Sequence, residues 1–345
     1  MRGSSERALL IGGHMDSVPN GGWLDGALGV MAGVGALRAW AEADAPPPRD
    51  LVLIDFADEE GSRFGRSLFG SSALAGTLDP AGLRGLADAA GDGIEGVLAA
   101  AGVELDRAPE ARRRIGGLGA WLELHIEQGP VLEHEGLTCA AVTGTAGVER
   151  HHVTFTGQAA HAGTTPMTAR RDAGLAAAAT QLAVERIARE HGGVGTTGTI
   201  TVEPGIITAV AGYAELGVDL RHPEVGPLEE MISETLAAAA RAADEHRCVL
   251  GGEPVWRIEP IPFDEGLVEL ARRAVANRDG GRPEPMQSGA LHDAAELARR
   301  IPAAMIFVAS RGGISHAVEE DSSEGDLTAG IEAYGELVAG VLTVW

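Results

Sequence analysis

The chain contains no lysine; all 27 of its Lys+Arg total are arginine. Against them stand 50 aspartates and glutamates, for a formal net charge of −23 over 345 residues. An acidic surface with no basic block repels phosphate backbones and anionic headgroups, so neither nucleic acid nor a membrane surface is an expected partner. No uninterrupted run of 18 apolar residues occurs, so no bilayer-spanning segment is expected. The N-terminal MRGSSERALLIGG carries too short an apolar run for a secretory signal. The two cysteines, Cys139 and Cys248, cannot build a disulfide framework, and a chain of this size does not need one. Together these absences point to a cytoplasmic protein. The missing lysine, beside abundant alanine and glycine, reads as genomic codon bias rather than as function.

What is present is ordinary for a globular chain: 45% hydrophobic residues, and a length that suits two domains of about 100–200 residues each. ALLI before His14 and DLVLIDFA before Asp58 read as buried strands, with a helix between them over GALGVMAGVGALRAW that stops at the prolines 46–48. AWLELHIEQ reads as a third strand, and residues 72–116 as short helices. Dense apolar strands alternating with helices argue for a parallel sheet covered on its faces. The period changes near residue 148. VERHHVTFTG, TGTITVEPG and AELGVDLRH alternate apolar and polar residues, as half-exposed antiparallel strands do, with helices predicted over 169–190 and 227–246 and a last strand at VWRIEPI. Residues 149–262 therefore read as a small α+β domain inserted into an α/β domain made of 1–148 and 263–345. Helices near 265–277 and 290–299, the strand AAMIFVA and a terminal helix over 325–343 complete the larger domain.

Four clusters of metal-binding residue types follow predicted strands. They are His14-Met15-Asp16 with Asp25 eleven residues after His14, Asp58-Glu59-Glu60, His125-Ile126-Glu127-Gln128, and Ser315-His316. Each alone is also what a solvated loop or a packed histidine presents. Their shared position is the argument, because ligands gather at the carboxyl edge of open α/β sheets. Three histidines and at least two carboxylates, with one carboxylate left over, suit a two-metal hydrolytic centre.

The strings GGHMDSVPNGGWLDGALGV, DEEGSRFG, HIEQGPVLE, GQAAHAGTTPMTARRDA, DLRH, SGALHDAAELA and GGISHAVEEDS span nearly the whole chain. In that order they resemble the dinuclear amidohydrolases of the hydantoinase/carbamoylase family: N-carbamoyl-L-amino acid hydrolases, allantoate amidohydrolases and β-ureidopropionases, in the aminoacylase/carboxypeptidase clan. The resemblance implies a zinc-aminopeptidase-like sheet with an inserted lid or dimerisation domain. It implies two divalent metal ions, zinc or manganese with cobalt or nickel admissible. Asp25 would bridge them, with His14 and His125 at one and Glu60 and His316 at the other. It makes Glu59 the general base, Asp16 the orienting partner of His14 and His161 the stabiliser of the oxyanion. Arg221 becomes the clamp for a substrate carboxylate, and Gln128 and His292 become pocket residues. A homodimer acting on a small carboxylate-bearing substrate follows from the same resemblance.

Three positions depart from the family pattern. Thr208 stands where an asparagine is expected thirteen residues before Arg221, Ala317-Val318 replaces Asn-Pro after His316, and Leu291 precedes His292 where the family has glycine. They bear on the substrate more than on the metal chemistry. An N-carbamoyl-L-amino acid is the expected substrate, with allantoate or β-ureidopropionate as alternatives. A peptidase of the same clan and a non-catalytic metal-binding relative are the remaining readings.

Overall fold

The computed structural model describes residues 7–344. The chain divides into two compact units, Met1–Thr145 with Ile261–Trp345, and Ala146–Pro260. In chain order the first unit opens with β1 (Ala8–His14), α1 (Ala27–Glu42), β2 (Leu51–Phe56), α2 (Phe69–Ala75), α3 (Pro80–Leu83), α4 (Ile94–Ala100), β3 (Leu118–Ile126), α5 (Val131–Glu135) and β4 (Cys139–Thr145). The second contains β5 (Gly147–Thr156), β6 (Ala160–His161), α6 (Ala173–His191), β7 (Val194–Glu203), β8 (Ala209–Val210), β9 (Tyr213–His222), α7 (Val225–His246) and β10 (Val249–Ile258). The first resumes with β11 (Ile261–Pro262), α8 (Glu265–Ala276), β12 (Met286–Ser288), α9 (Asp293–Ala298), β13 (Ala303–Val308) and α10 (Glu324–Val344).

The larger unit holds a seven-stranded sheet in the order β11-β4-β13-β3-β1-β2, with β12 beside β4. The run β13-β3-β1-β2 is parallel throughout, whereas β4 pairs antiparallel with β13 and β11. Alternate side chains explain the layering. Leu9 and Ile11 of β1, Leu122 and Leu124 of β3, and Ile306 and Val308 of β13 pack with α1, α8 and α10. Leu10, Trp121, Met305 and Phe307 pack on the opposite face with α2 and α9. Both faces are covered, which is why these strands read as unbroken apolar runs.

β2 and β4 differ from the sequence expectation: β2, expected as a buried strand, lies at the sheet edge with Val52 exposed. β4, the string CAAVTGT, is a buried strand that no periodicity announced. Small residues give no alternation, and its place is decided by pairing with β13. The terminal helix α10 is 21 residues long with a mean hydropathy of 1.3, apolar enough by length and composition to cross a membrane. Its Tyr334, Leu337, Val338, Val341 and Leu342 are instead buried in the core of this unit.

The smaller unit is a four-stranded antiparallel sheet in the order β10-β5-β9-β7. Val153 and Phe155 of β5 and Ala214, Leu216, Val218 and Leu220 of β9 form one core with α6 and α7. The Asp172 carboxylate accepts from the Gly174 and Leu175 amides, so α6 begins at Ala173, not at the expected 169. A separate two-stranded pairing joins β6 to β8.

Candidate metal centre

β1, β2, β3 and β13 end on one edge of the sheet, because they run parallel. That edge receives His14 from β1, the Asp58–Glu60 loop after β2, His125 from β3 and the Ser310–His316 loop after β13. Asp25 comes from the loop between β1 and α1. His14 Nε2 lies 3.5 Å and His125 Nε2 3.2 Å from Asp25 Oδ1, while His316 Nε2 lies 3.4 Å from Asp25 Oδ2. His316 Nε2 is also 3.5 Å from Glu60 Oε2. Two groups of potential ligands result, His14-Asp25-His125 and Asp25-Glu60-His316, and they share the two oxygens of Asp25.

Backbone carbonyls hold the imidazoles in register. His14 Nδ1 is 2.9 Å from the Asp16 carbonyl oxygen, and His125 Nδ1 is 2.9 Å from that of Ile126. A carbonyl only accepts, so Nδ1 of each ring carries a proton and Nε2 is the nitrogen that faces Asp25. Gly26, at φ 66°, makes the approach possible. A Cβ there would lie 2.4 Å from the His14 ring.

The donor set fits divalent ions. Imidazole nitrogens and carboxylate oxygens converge from both sides of one carboxylate, and the buried Glu60 Oε1 has no hydrogen-bond partner. The arrangement is compatible with a dinuclear site. A third group, Glu123-His125-His292, shares His125 with the first.

Asp16 meets the centre through both its carbonyl and its carboxylate. Its carboxylate stands 3.8 Å from His14 Nδ1 and accepts instead from the amides of Glu59 at 3.2 Å and Glu60 at 3.1 Å. The Asp16 carbonyl orients the ring; the Asp16 carboxylate orients the two glutamates. Gln128 also sits among the ligands, donating from Nε2 to Asp25 Oδ2 at 2.8 Å. His292 is buried with its ring 4.5 Å from that of His125 and its Nε2 3.0 Å from Ser288 Oγ.

Electrostatics follow from burial and crowding. Burial raises Glu59 well above the usual carboxylate range, and the negative charges of Asp293, Glu60, Glu123 and Asp25 add to it. Burial and Asp25 lift Glu60 to about 7. Burial opposes ionisation of both Asp25 and His125, but their hydrogen bond and opposite charges win. His125 is raised to about 9 and Asp25 held below its usual range. Burial and the His125 charge lower His14. Glu59 Oε2 lies 3.7 Å from His14 Nε2.

The structure thus gathers His14, Asp16, Asp25, Glu59, Glu60, His125, Gln128, His292 and His316 in the larger unit. His161, Thr208 and Arg221 belong to the smaller one. His161 Nδ1 accepts from the amides of Gly163 at 3.1 Å and Thr164 at 3.2 Å, which leaves the exposed Nε2 as the protonated nitrogen. The Thr208 carbonyl accepts from Ala162 N at 2.8 Å, so Thr208 sits beside His161. Arg221 is half-buried near the other end of β9, with Nε 2.8 Å from Asp219 Oδ1. Four buried acids of the larger unit escaped the sequence reading: Glu123, Asp293, Glu296 and Glu320. Glu123 stood inside an apolar strand and Glu320 inside the acidic run VEED, which reads as solvated; only burial separates them from surface charge.

The model of Peptidase family M20/M25/M40 matches residues 10–340. An N-carbamoyl-L-amino acid amidohydrolase of Geobacillus stearothermophilus is 39% identical over 94% of this chain and 79% of its own length. An allantoate amidohydrolase of Bacillus subtilis is 34% identical over 97% of this chain and 81% of its own. The crystal structure of a hydantoinase/carbamoylase family amidase from Burkholderia multivorans superposes with a TM-score of 0.88 at 33% identity, covering 98% of this chain and 82% of that one. The chain belongs to peptidase family M20/M25/M40 and, within it, to the hydantoinase/carbamoylase amidases.

Proposed function

We propose that the linear amide C–N bond hydrolysed by this amidohydrolase is that of an N-carbamoyl-L-amino acid, giving the amino acid, ammonia and carbon dioxide. The observation that carries the proposal is the Asp25 carboxylate, shared between two imidazole/carboxylate groups, with the buried Glu59 beside them. His14 and His125 with Asp25 would hold one divalent ion, and Glu60 and His316 with Asp25 the other, zinc or manganese by preference and cobalt or nickel admissibly. Such ions supply Lewis-acid polarisation of the scissile carbonyl and acidify water.

The remaining work belongs to side chains of this chain. Glu59, made more basic than an ordinary carboxylate by burial and its acidic neighbours, takes a proton from the attacking water and delivers it to the departing nitrogen. Asp16 keeps the Glu59 and Glu60 backbone in place through its two accepted hydrogen bonds. His161 donates from Nε2 to the developing oxyanion. Arg221 pairs with the substrate carboxylate, and Gln128, His292 and Thr208 border the pocket. Thr208 offers a hydroxyl where the family resemblance implies a carboxamide, and its shorter side chain reaches less far toward the substrate.

The smaller unit is proposed as the lid and as the dimer contact. Val148 pairs with Arg221, and further along the same two chain segments His161 pairs with Ala209. In the homodimer of this reading, His161 of one copy and Arg221 of another serve the same substrate. The two free cysteines, Cys139 and Cys248, support a reducing compartment, the cytoplasm.

The test is ammonia release from N-carbamoyl-L-amino acids, allantoate and β-ureidopropionate, with added manganese or zinc. The carbamoyl amino acids should give the highest kcat/KM; a preference for allantoate or β-ureidopropionate would reassign the substrate. Glu59→Gln should retain metal and lose turnover by about 10²–10⁴-fold. Unchanged turnover with metal in place removes Glu59 as the base, and no release from any substrate with metal bound identifies a non-catalytic relative.

A further inference from the structure

Glu320 lies in the acidic run Glu319-Glu320-Asp321, yet it is 1% exposed. Its carboxylate is used from both sides. Oε1 accepts from the amides of Leu24 at 3.2 Å and Asp25 at 3.0 Å. Oε2 accepts from Ser315 Oγ at 2.9 Å and from the His316 amide at 3.3 Å. One side chain therefore receives donors from two loops nearly 300 residues apart in sequence, and each loop carries a residue that faces the other across the centre. Ser315 Oγ is also 3.3 Å from Asp25 Oδ2, and Gln128 Nε2 reaches both Asp25 and Ser315, at 2.8 and 3.3 Å. A buried carboxylate with four donors is a strong, geometrically demanding anchor, since removing it strands several buried polar groups together.

A second observation concerns space. A Cβ on Gly22 would lie 2.2–2.4 Å from Oε1, Cβ and Cδ of Glu320. Gly22 is not among the residues at positive φ, so glycine is needed there for the close passage of the Glu320 side chain rather than for backbone freedom. The turn before Asp25 is shaped around this carboxylate.

We propose that Glu320 is a positioning residue that sets the separation of Asp25 and His316 by holding both of their loops on one carboxylate. This rests on Asp25 and His316 being metal ligands. His316 is the ligand most dependent on it. It is half exposed, at φ 56°, and it ends a loop that the sheet does not support beyond β13. Glu320 is not among the groups that could hold an ion, so its loss acts on metal retention before it acts on chemistry.

Glu320→Gln keeps one accepting oxygen and turns the other into a donor, so one of the two loops loses its acceptor. The measurement is a titration of metal-free protein with manganese, followed by calorimetry, for wild type, Glu320→Gln, Glu320→Asp and Gly22→Ala. Wild type should take two ions per chain. Glu320→Gln and Gly22→Ala should bind one ion about 10–100-fold more weakly and keep the other, with Glu320→Asp between them and wild type. Melting temperatures of the metal-free proteins should fall by a few degrees without collapse, and turnover of the variants should recover as manganese is raised. If wild type binds two ions and the variants follow the same isotherm, Glu320 is not a positioning residue. A loss of both ions together with a collapse of the metal-free melting temperature makes its role structural and likewise overturns the proposal. If wild type itself does not take two ions, the metal-centre reading fails first, and that failure is seen without any variant.

Discussion

At the residue scale, carboxylates of one charge have separate tasks set by what they touch. Asp25 spends both oxygens on imidazoles, Asp16 on the Glu59 and Glu60 amides, and Glu127 on the Val131 and Leu132 amides at the start of α5. Glu59 is buried beside the centre with Oε2 3.7 Å from His14 Nε2, which places its carboxylate where a base is needed. Asp16→Asn replaces one accepting oxygen by a donor that faces an amide. Metal affinity or kcat should fall about 10–100-fold, read as metal per chain after dialysis and as turnover at saturating metal. Full retention of both would leave the Asp16 carboxylate without a role in the centre.

Elements carry these residues because sheet geometry repeats every second position. On β3, Trp121, Glu123 and His125 share one face, so that face passes from apolar to acidic to imidazole as it nears the carboxyl edge. The Trp121 indole and the Ala294 amide both donate to Glu123, each at 3.0 Å, which ties α9 and His292 to the same strand. Behind the sheet, α10 supplies packing and no chemistry. Leu337 is 1% exposed, and Leu337→Ala should destabilise the protein by about 2–5 kcal/mol in urea titrations, with the metal-binding isotherm of the folded protein unchanged. A changed isotherm would mean that α10 reaches the centre through the sheet.

At the scale of the molecule, proton and metal binding compete. Glu60 rises from 4.5 to about 7 and His125 from 6.5 to about 9 in the metal-free fold. Both folded values lie above the unfolded ones. The stability each group contributes is complete below its unfolded pKa and is lost as pH rises, through 4.5–7 for Glu60 and 6.5–9 for His125. His14 and His292 have lowered values and act in the opposite sense, but only below 6.5. From pH 7 to 9 the metal-free protein should therefore lose about 1–3 kcal/mol, seen as a falling Tm in chelator. Divalent metal should flatten that slope, and its apparent affinity should rise over the same range, because ligand protons leave as ions enter. A metal-free Tm that holds steady or climbs between pH 7 and 9 contradicts the His125 assignment.

Several features were legible because they depend on local order in the chain. The apolar runs before His14 and His125 mark strands whatever surrounds them, since only a sheet covered on both faces buries every side chain of a strand, whereas the run before Asp58 is a strand at the sheet edge and is only partly buried. The alternation in VERHHVTFTG and AELGVDLRH marks a sheet covered on one face. The candidate ligands were legible because each follows such a strand, and strands that run parallel must end on one edge. Other features needed the fold. β4 is a strand because β13 pairs with it, and CAAVTGT carries no period of its own. The Asp16 carbonyl meets His14 Nδ1, a contact made by backbone dihedrals that residue type does not encode. Glu320 and Glu319 are the same letter in the sequence; one is solvated and the other holds two loops. The chain by itself determined which chemistry its residues offer and on which strands they ride. Tertiary packing alone decided which of its many carboxylates lost their water, because desolvation depends on neighbours that lie hundreds of residues away.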